Sequence, residues 1–154
     1  MPAMTESETM AVSYTSSDDP RRLVLADLVG QLAVRLAAQA RAYERVATSD
    51  AGPLRPALEG LARAKHAQIA DLTPLGRALG APEPPPPALS PLEPPFAWGV
   101  ILGEAFQGER DLELVARELA RLVPDPATRA LGARLAAGAH QDAEEVRRLY
   151  LRYS

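Results

Sequence analysis

The sequence contains no cysteine. Disulfides, thiolate metal sites and cysteine nucleophiles are therefore excluded. Aromatic residues make up 5% of the chain, too few for the stacking platforms that bind bases. Neither sign of charge dominates: 17 Lys and Arg stand against 20 Asp and Glu, for a net charge of −3. Duplex binding needs a concentrated basic face. Here the arginines are spread among acidic residues, so nucleic acid is not an expected partner. Glycine-rich phosphate loops, nucleophile elbows and a Ser-His-Asp order are all missing, which leaves no catalytic residue to name. The best uncharged run, 94–103, is too short to cross a membrane. Residues 1–18 have neither the basic start nor the apolar block of a secretory signal. They read as a disordered tail, and the chain as cytoplasmic with no membrane partner.

What the chain has in quantity is apolar side chains at helical spacing. Helix 1 should begin at Asp19-Pro20, an aspartate cap followed by a proline that needs no donor. Leu25, Leu28, Val29, Leu32, Leu36, Ala40, Tyr43 and Val46 then recur every three or four residues, up to about Thr48. Helix 2 should start near Pro53, with Leu54, Leu58, Leu61, Ile69, Leu72, Leu75 and Leu79 in its stripe. Thr73-Pro74 predicts a kink or a new segment, and Gly80 a stop. Helix 3 should span about Phe96 to Val123, with Trp98, Ile101, Leu102, Ala105, Leu112, Val115, Leu119 and Leu122 inward. Helix 4 should begin at Asp125-Pro126. The spacing predicts an all-α four-helix bundle over residues 19–154.

Residues 81–95 are more than half proline and should be extended. At ~3.1 Å per residue such a linker reaches roughly 45 Å, and a helix of about 27 residues is ~40 Å long. The linker is thus sized to run the length of the bundle, whereas the other two connections are short. Two antiparallel hairpins joined by one crossover are expected. A 74-residue offset aligns Leu61-Ala62 and His66 with Leu135-Ala136 and His140, and Glu44 with Glu118, as two related hairpins would.

Hairpins joined in this way, Tyr43 at the end of helix 1, and Leu-Ala ahead of a histidine-bearing stretch together resemble rubrerythrin-like members of the ferritin-like superfamily. The resemblance covers about residues 20–154. It implies a glutamate on each of helices 1 and 3, and Glu-x-x-His on each of helices 2 and 4, around two metal ions. On that register the ligand positions carry Lys65 and Gln68, Ala139 and Asp142, and Leu36. A degenerate di-metal site is therefore expected, with no cofactor.

Counting back through the turns places His140 opposite Glu109, and His66 opposite Arg35 or Leu36. Glu44 then falls ~12 Å too near the turn to share a metal with His66. Glu104, Glu109, His140, Asp142 and His66 are the candidate ligands if an iron or manganese site survives. Otherwise the histidines border the stripe, and the glutamates are solvated or paired with arginine. Lys65 and Asp142 interrupt apolar stripes near mid-helix, where a lone charge is costly. They should form an internal ion pair where relatives hold metal, unless Lys65 reaches solvent. The expected function is non-catalytic, an interaction or assembly role in a homodimer. The alternatives are a metal-binding oxidoreductase or iron-handling protein and a small-molecule or lipid carrier.

Overall fold

A computed structural model describes residues 19–49, 51–81, 83–84, 92–93 and 95–153. The expected tail over 1–18 and most of the Pro-rich linker lie outside the described residues. Four helices account for nearly all of the rest, and no strand occurs among the described residues. They are α1 (Pro20–Thr48), α2 (Arg55–Leu79), α3 (Trp98–Leu122) and α4 (Pro126–Tyr153).

The helix ends follow from the chemistry of their caps. Asp19 accepts a hydrogen bond from the Arg21 amide at 3.0 Å, and Asp125 accepts from the Thr128 amide at 2.9 Å and hydroxyl at 2.8 Å. Each satisfies donors that the first turn leaves open. Gly80 stops α2 in the left-handed region, at φ 69°. The Ala81 amide reaches back to Gly76 O at 2.9 Å and the Gly80 amide to Arg77 O at 3.1 Å, a Schellman closure. A 3-10 turn, Gly52–Leu54, precedes α2, so the helix proper starts two residues later than expected.

The expected break at Thr73-Pro74 does not occur, and α2 runs unbroken through Pro74. Pro74 is exposed, so its ring points to water. Thr73 Oγ1 donates to Ile69 O at 2.8 Å, and Leu72, Leu75 and Leu79 anchor both sides of the proline in the core. Packing of the apolar face outweighs the lost hydrogen bond.

Glu44 of α1 lies beside His66 of α2, and Val29 beside Gly76, so the contacts run in opposite order along the two helices. The same holds for Glu113 with His140 and Ala120 with Gly132 in α3 and α4. Between these pairs, α1 packs on α3 and α2 more lightly on α4. The apolar core has two parts. Leu25, Val29, Leu32, Leu72, Leu119 and Leu135 belong to one; Tyr43, Leu54, Leu58, Leu102 and Val146 belong to the other. Each buried leucine contributes about 1.5–3 kcal/mol.

Sequence reading found no stretch able to span a membrane, but α1 meets that test by length and composition. It holds an 18-residue window with no more than two charged residues, 33% of it buried. Asp27 and Arg35 interrupt the window, which is why counting uncharged runs overlooked it. Its inward side, Leu25, Val29, Leu32 and Leu36, is core.

A Cβ added at Gly30 or Gly103 would meet nothing within 4 Å, and both lie inside helices. Gly30→Ala and Gly103→Ala are each expected to stabilise the fold by about 0.5–1 kcal/mol, measured as a raised urea midpoint with an unchanged slope.

Candidate functional site

Between the two apolar clusters lies a layer of polar side chains, with Lys65 at its centre. Lys65 is the sole lysine among the 17 Lys and Arg residues, and its side chain is 0% exposed. An ammonium taken out of water needs compensating charge and hydrogen bonds, and three side chains supply them. Its Nζ lies 2.6 Å from Glu109 Oε1 on α3 and 3.0 Å from Asp142 Oδ2 on α4. It donates to Gln68 Oε1, one turn along α2, at 2.9 Å. Gln68 Nε2 in turn donates to Asp142 Oδ2 at 3.3 Å.

α1 completes the layer. Gln39 Nε2 donates to the Tyr43 hydroxyl at 3.0 Å and to Ala105 O at 2.7 Å. Both amides fit because the neighbouring helix carries glycine. A Cβ at Gly108 would sit 2.2 Å from Gln39 Oε1, and one at Gly138 2.7 Å from Gln68 Nε2.

Glu109 is also fully buried. Lys65 approaches it closely but off the axis of a good hydrogen bond. The Tyr43 hydroxyl, which accepts from Gln39 and keeps its own proton to donate, also faces the carboxyl and favours its ionised form. Burial pushes its carboxyl up to about 7; Lys65 opposes the rise, and the charge on Asp142 adds to it. Burial, reinforced by the Glu109 charge, holds the Tyr43 hydroxyl far above its ordinary range. Tyr43 is therefore neutral and cannot stand in as an anionic ligand.

A second buried carboxylate, Glu113, follows Glu109 by one turn. Arg117 Nη2 lies 2.5 Å away, His140 Nδ1 3.2 Å and Arg110 Nη1 3.6 Å. On the other side of the bundle His66 pairs with Glu44, beside an open cleft lined also by Thr48, Arg55, Glu59 and Arg63.

These placements correct the register read from sequence. His140 meets Glu113 rather than Glu109, and His66 meets Glu44 rather than the level of Arg35 and Leu36. Both differences have one cause. Side chains on a helix lean toward its N-terminus. In each pair of helices the histidine leans toward the connecting turn and the glutamate away from it. They converge although their Cα atoms lie at different depths. Of the other expected ligands, Glu109 and Asp142 meet through Lys65, and Glu104 is exposed. Among the described residues, no group of three or more His, Asp and Glu side chains is placed to hold a metal ion.

The donor set does not fit the pair of cations that the ferritin-like resemblance implies. An ammonium stands where Glu109 and Asp142 converge, and hard cations need several oxygen ligands that no fixed positive charge already occupies. Comparisons with family models, curated proteins and solved structures return no match. The reading of the site therefore rests on its own residues.

Sequence reading overlooked Gln39 and Glu113. Leu36, Gln39/Ala40 and Tyr43 form one stripe, as do Leu102, Ala105, Glu109, Leu112, Ala116 and Leu119. Spacings of three and four thus put Gln39 and Glu109 in line with the leucines. Two further signals were available: a single lysine among many arginines, and glycines at 108 and 138 facing the buried amides.

Proposed function

We propose that this chain is a ferritin-like bundle of two antiparallel hairpins, with a fixed ammonium where metal-binding relatives hold cations. Its role is non-catalytic, in association with other protein chains. The observation that carries this reading is the position of Lys65, enclosed and shared between carboxylates of α3 and α4.

The opposite order of contacts in each helix pair supports the hairpins. The described parts of the linker support a long crossover. Glu83 and Pro84 line a groove with Val29 and Gly76, whereas the Leu92 amide donates at 2.9 Å to Ser49 Oγ at the far end of α1. Association as a homodimer is supported by large apolar side chains left exposed, among them Leu23, Val24 and Val34 on α1 and Leu114 and Leu122 on α3. A carrier role finds less support. The groove along α1 and α2 holds a cavity of about 40 Å³. The cleft beside His66, about 540 Å³, is open and ringed by Glu44, Arg55, Glu59 and Arg63, whereas ordinary ligand pockets of about 300–1,000 Å³ are mostly apolar and enclose the ligand.

The test is elemental analysis of protein purified from iron- and manganese-supplemented cells. Wild-type protein is expected to carry well under one metal per chain. The double variant Lys65→Glu with Gln68→His puts Glu-x-x-His on α2 beside Glu109 and Asp142, and is expected to bind divalent cobalt at about one ion or more per chain. Stoichiometric metal in the wild type would remove the proposal in favour of a metal-dependent oxidoreductase.

A further inference from the structure

We propose that the polar layer is a proton-operated clasp between the two hairpins, in which Glu109 takes up a proton to close the seam and releases it to loosen the seam. The inference does not depend on kinship with metal-binding bundles. It starts from a charge count. The pair α1 and α2 brings one cation to the layer, Lys65. The pair α3 and α4 brings two anions, Glu109 and Asp142. Every ion contact in the layer therefore crosses from one hairpin to the other.

With all three groups ionised, the interior holds one uncompensated negative charge. The groups facing Glu109 from the other helices do not cancel it. Tyr43 and Gln39 on α1 are neutral, Lys65 and Gln68 on α2 are already shared with Asp142, and Asp142 on α4 is itself an anion. Glu113, next along α3, is served separately by Arg110, Arg117 and His140. A proton on the Glu109 oxygen that Lys65 does not hold restores one cation to one anion without displacing Lys65 from Oε1, although the Tyr43 hydroxyl beside the carboxyl opposes the uptake. Burial favours that uptake, as the raised Glu109 carboxyl shows.

Protons reach the layer where α2 meets α4. Asp142 is 15% exposed there, Gln68 is half-buried, and Gly138 offers the Gln68 amide no side chain to pack against. That seam is also the most lightly packed of the four. It is the edge along which an uncompensated charge would draw water inward.

Linkage fixes the direction. In the unfolded chain Glu109 ionises near its ordinary value of 4.5, and in the folded chain near 7. Between those limits the folded state holds the additional proton. The contribution is full below the window and lost as pH rises through it. The melting temperature should fall by roughly 5 °C or more between pH 5 and pH 8. Amide exchange, corrected for its intrinsic pH dependence, should quicken over the same range most strongly in α2 and α4 near Gln68 and Asp142.

Glu109→Gln keeps the shape and removes the proton, so its melting temperature should be flat across the range. Asp142→Asn leaves one cation facing one anion and should lose most of the slope, which keeps the test open if Glu109→Gln fails to fold. His140→Gln alters only the Glu113 cluster and should retain the slope. A wild-type melting temperature that does not fall, or a slope that persists in both carboxylate variants, overturns the proposal.

Discussion

Lys65→Met is expected to destabilise the protein by about 3–5 kcal/mol at pH 7.5, which lowers the melting temperature by roughly 10 °C or more for a chain of this size. The loss has little to do with the lysine stem, whose volume methionine nearly matches. It comes from what stays behind: Glu109, with no exposure and no ammonium to hold its carboxyl down, must take up a proton, and Asp142, at 15% exposure, keeps its charge without a partner. Equilibrium urea denaturation measures the change. A double variant tells the penalty of an orphaned anion apart from a simple packing defect. Lys65→Met combined with Glu109→Leu removes the two fully enclosed charges and leaves only Asp142, which reaches water at the α2–α4 seam. It should recover much of the lost stability, because apolar groups often replace a buried pair at little cost. Two single losses that simply add in the double variant would show that the side chains are not coupled.

Gly132→Leu carries the second large effect. A Cβ at Gly132 would stand 2.8 Å from Ala120 N, 3.0 Å from its Cα and 3.0 Å from its Cβ. The obstruction is mainly backbone, so no side-chain rotation relieves it, and α3 and α4 must separate. Leucine should cost about 3 kcal/mol or more. Gly132→Ala should cost less, about 1–2 kcal/mol, because alanine's better helix propensity offsets about 1 kcal/mol of the strain. The Gly30 and Gly103 substitutions are the control, since they make the same chemical change in open space and should stabilise. Full stability in Gly132→Leu would mean that α3 and α4 do not approach this closely.

Several parts of the fold were legible because they rest on local chemistry. Asp19-Pro20, Asp125-Pro126 and Gly80 mark helix ends through hydrogen bonds made within a few residues, which a linear reading can follow. Lys65 and Asp142 drew notice because each interrupts an apolar stripe, and their charged atoms stand 3.0 Å apart. Cross-helix register was harder to read. Counting residues from a turn gives the depth of Cα atoms, whereas contacts are made by side-chain tips several ångströms away along opposite leans. That displaced His140 by about one turn and His66 by about two from their partners. Glu109 does not read as core, because Ala105, Leu112 and Val115 already make a continuous apolar stripe, whereas the structure buries Glu109 and Ala116. Pro74 failed as a break signal because propensity is weaker than the burial of the leucines around it.

The enclosure of Lys65 also governs how this chain meets the enzymes that modify proteins. With no other lysine in the sequence, the folded bundle presents no ε-amino group to an acetyl donor, a ubiquitin ligase or an amine-reactive cross-linker. Such chemistry reaches the chain at this side chain only when the helices part, in proportion to the small fraction of molecules that are open at any moment. A mark on Lys65 would therefore record that its bearer had been unfolded.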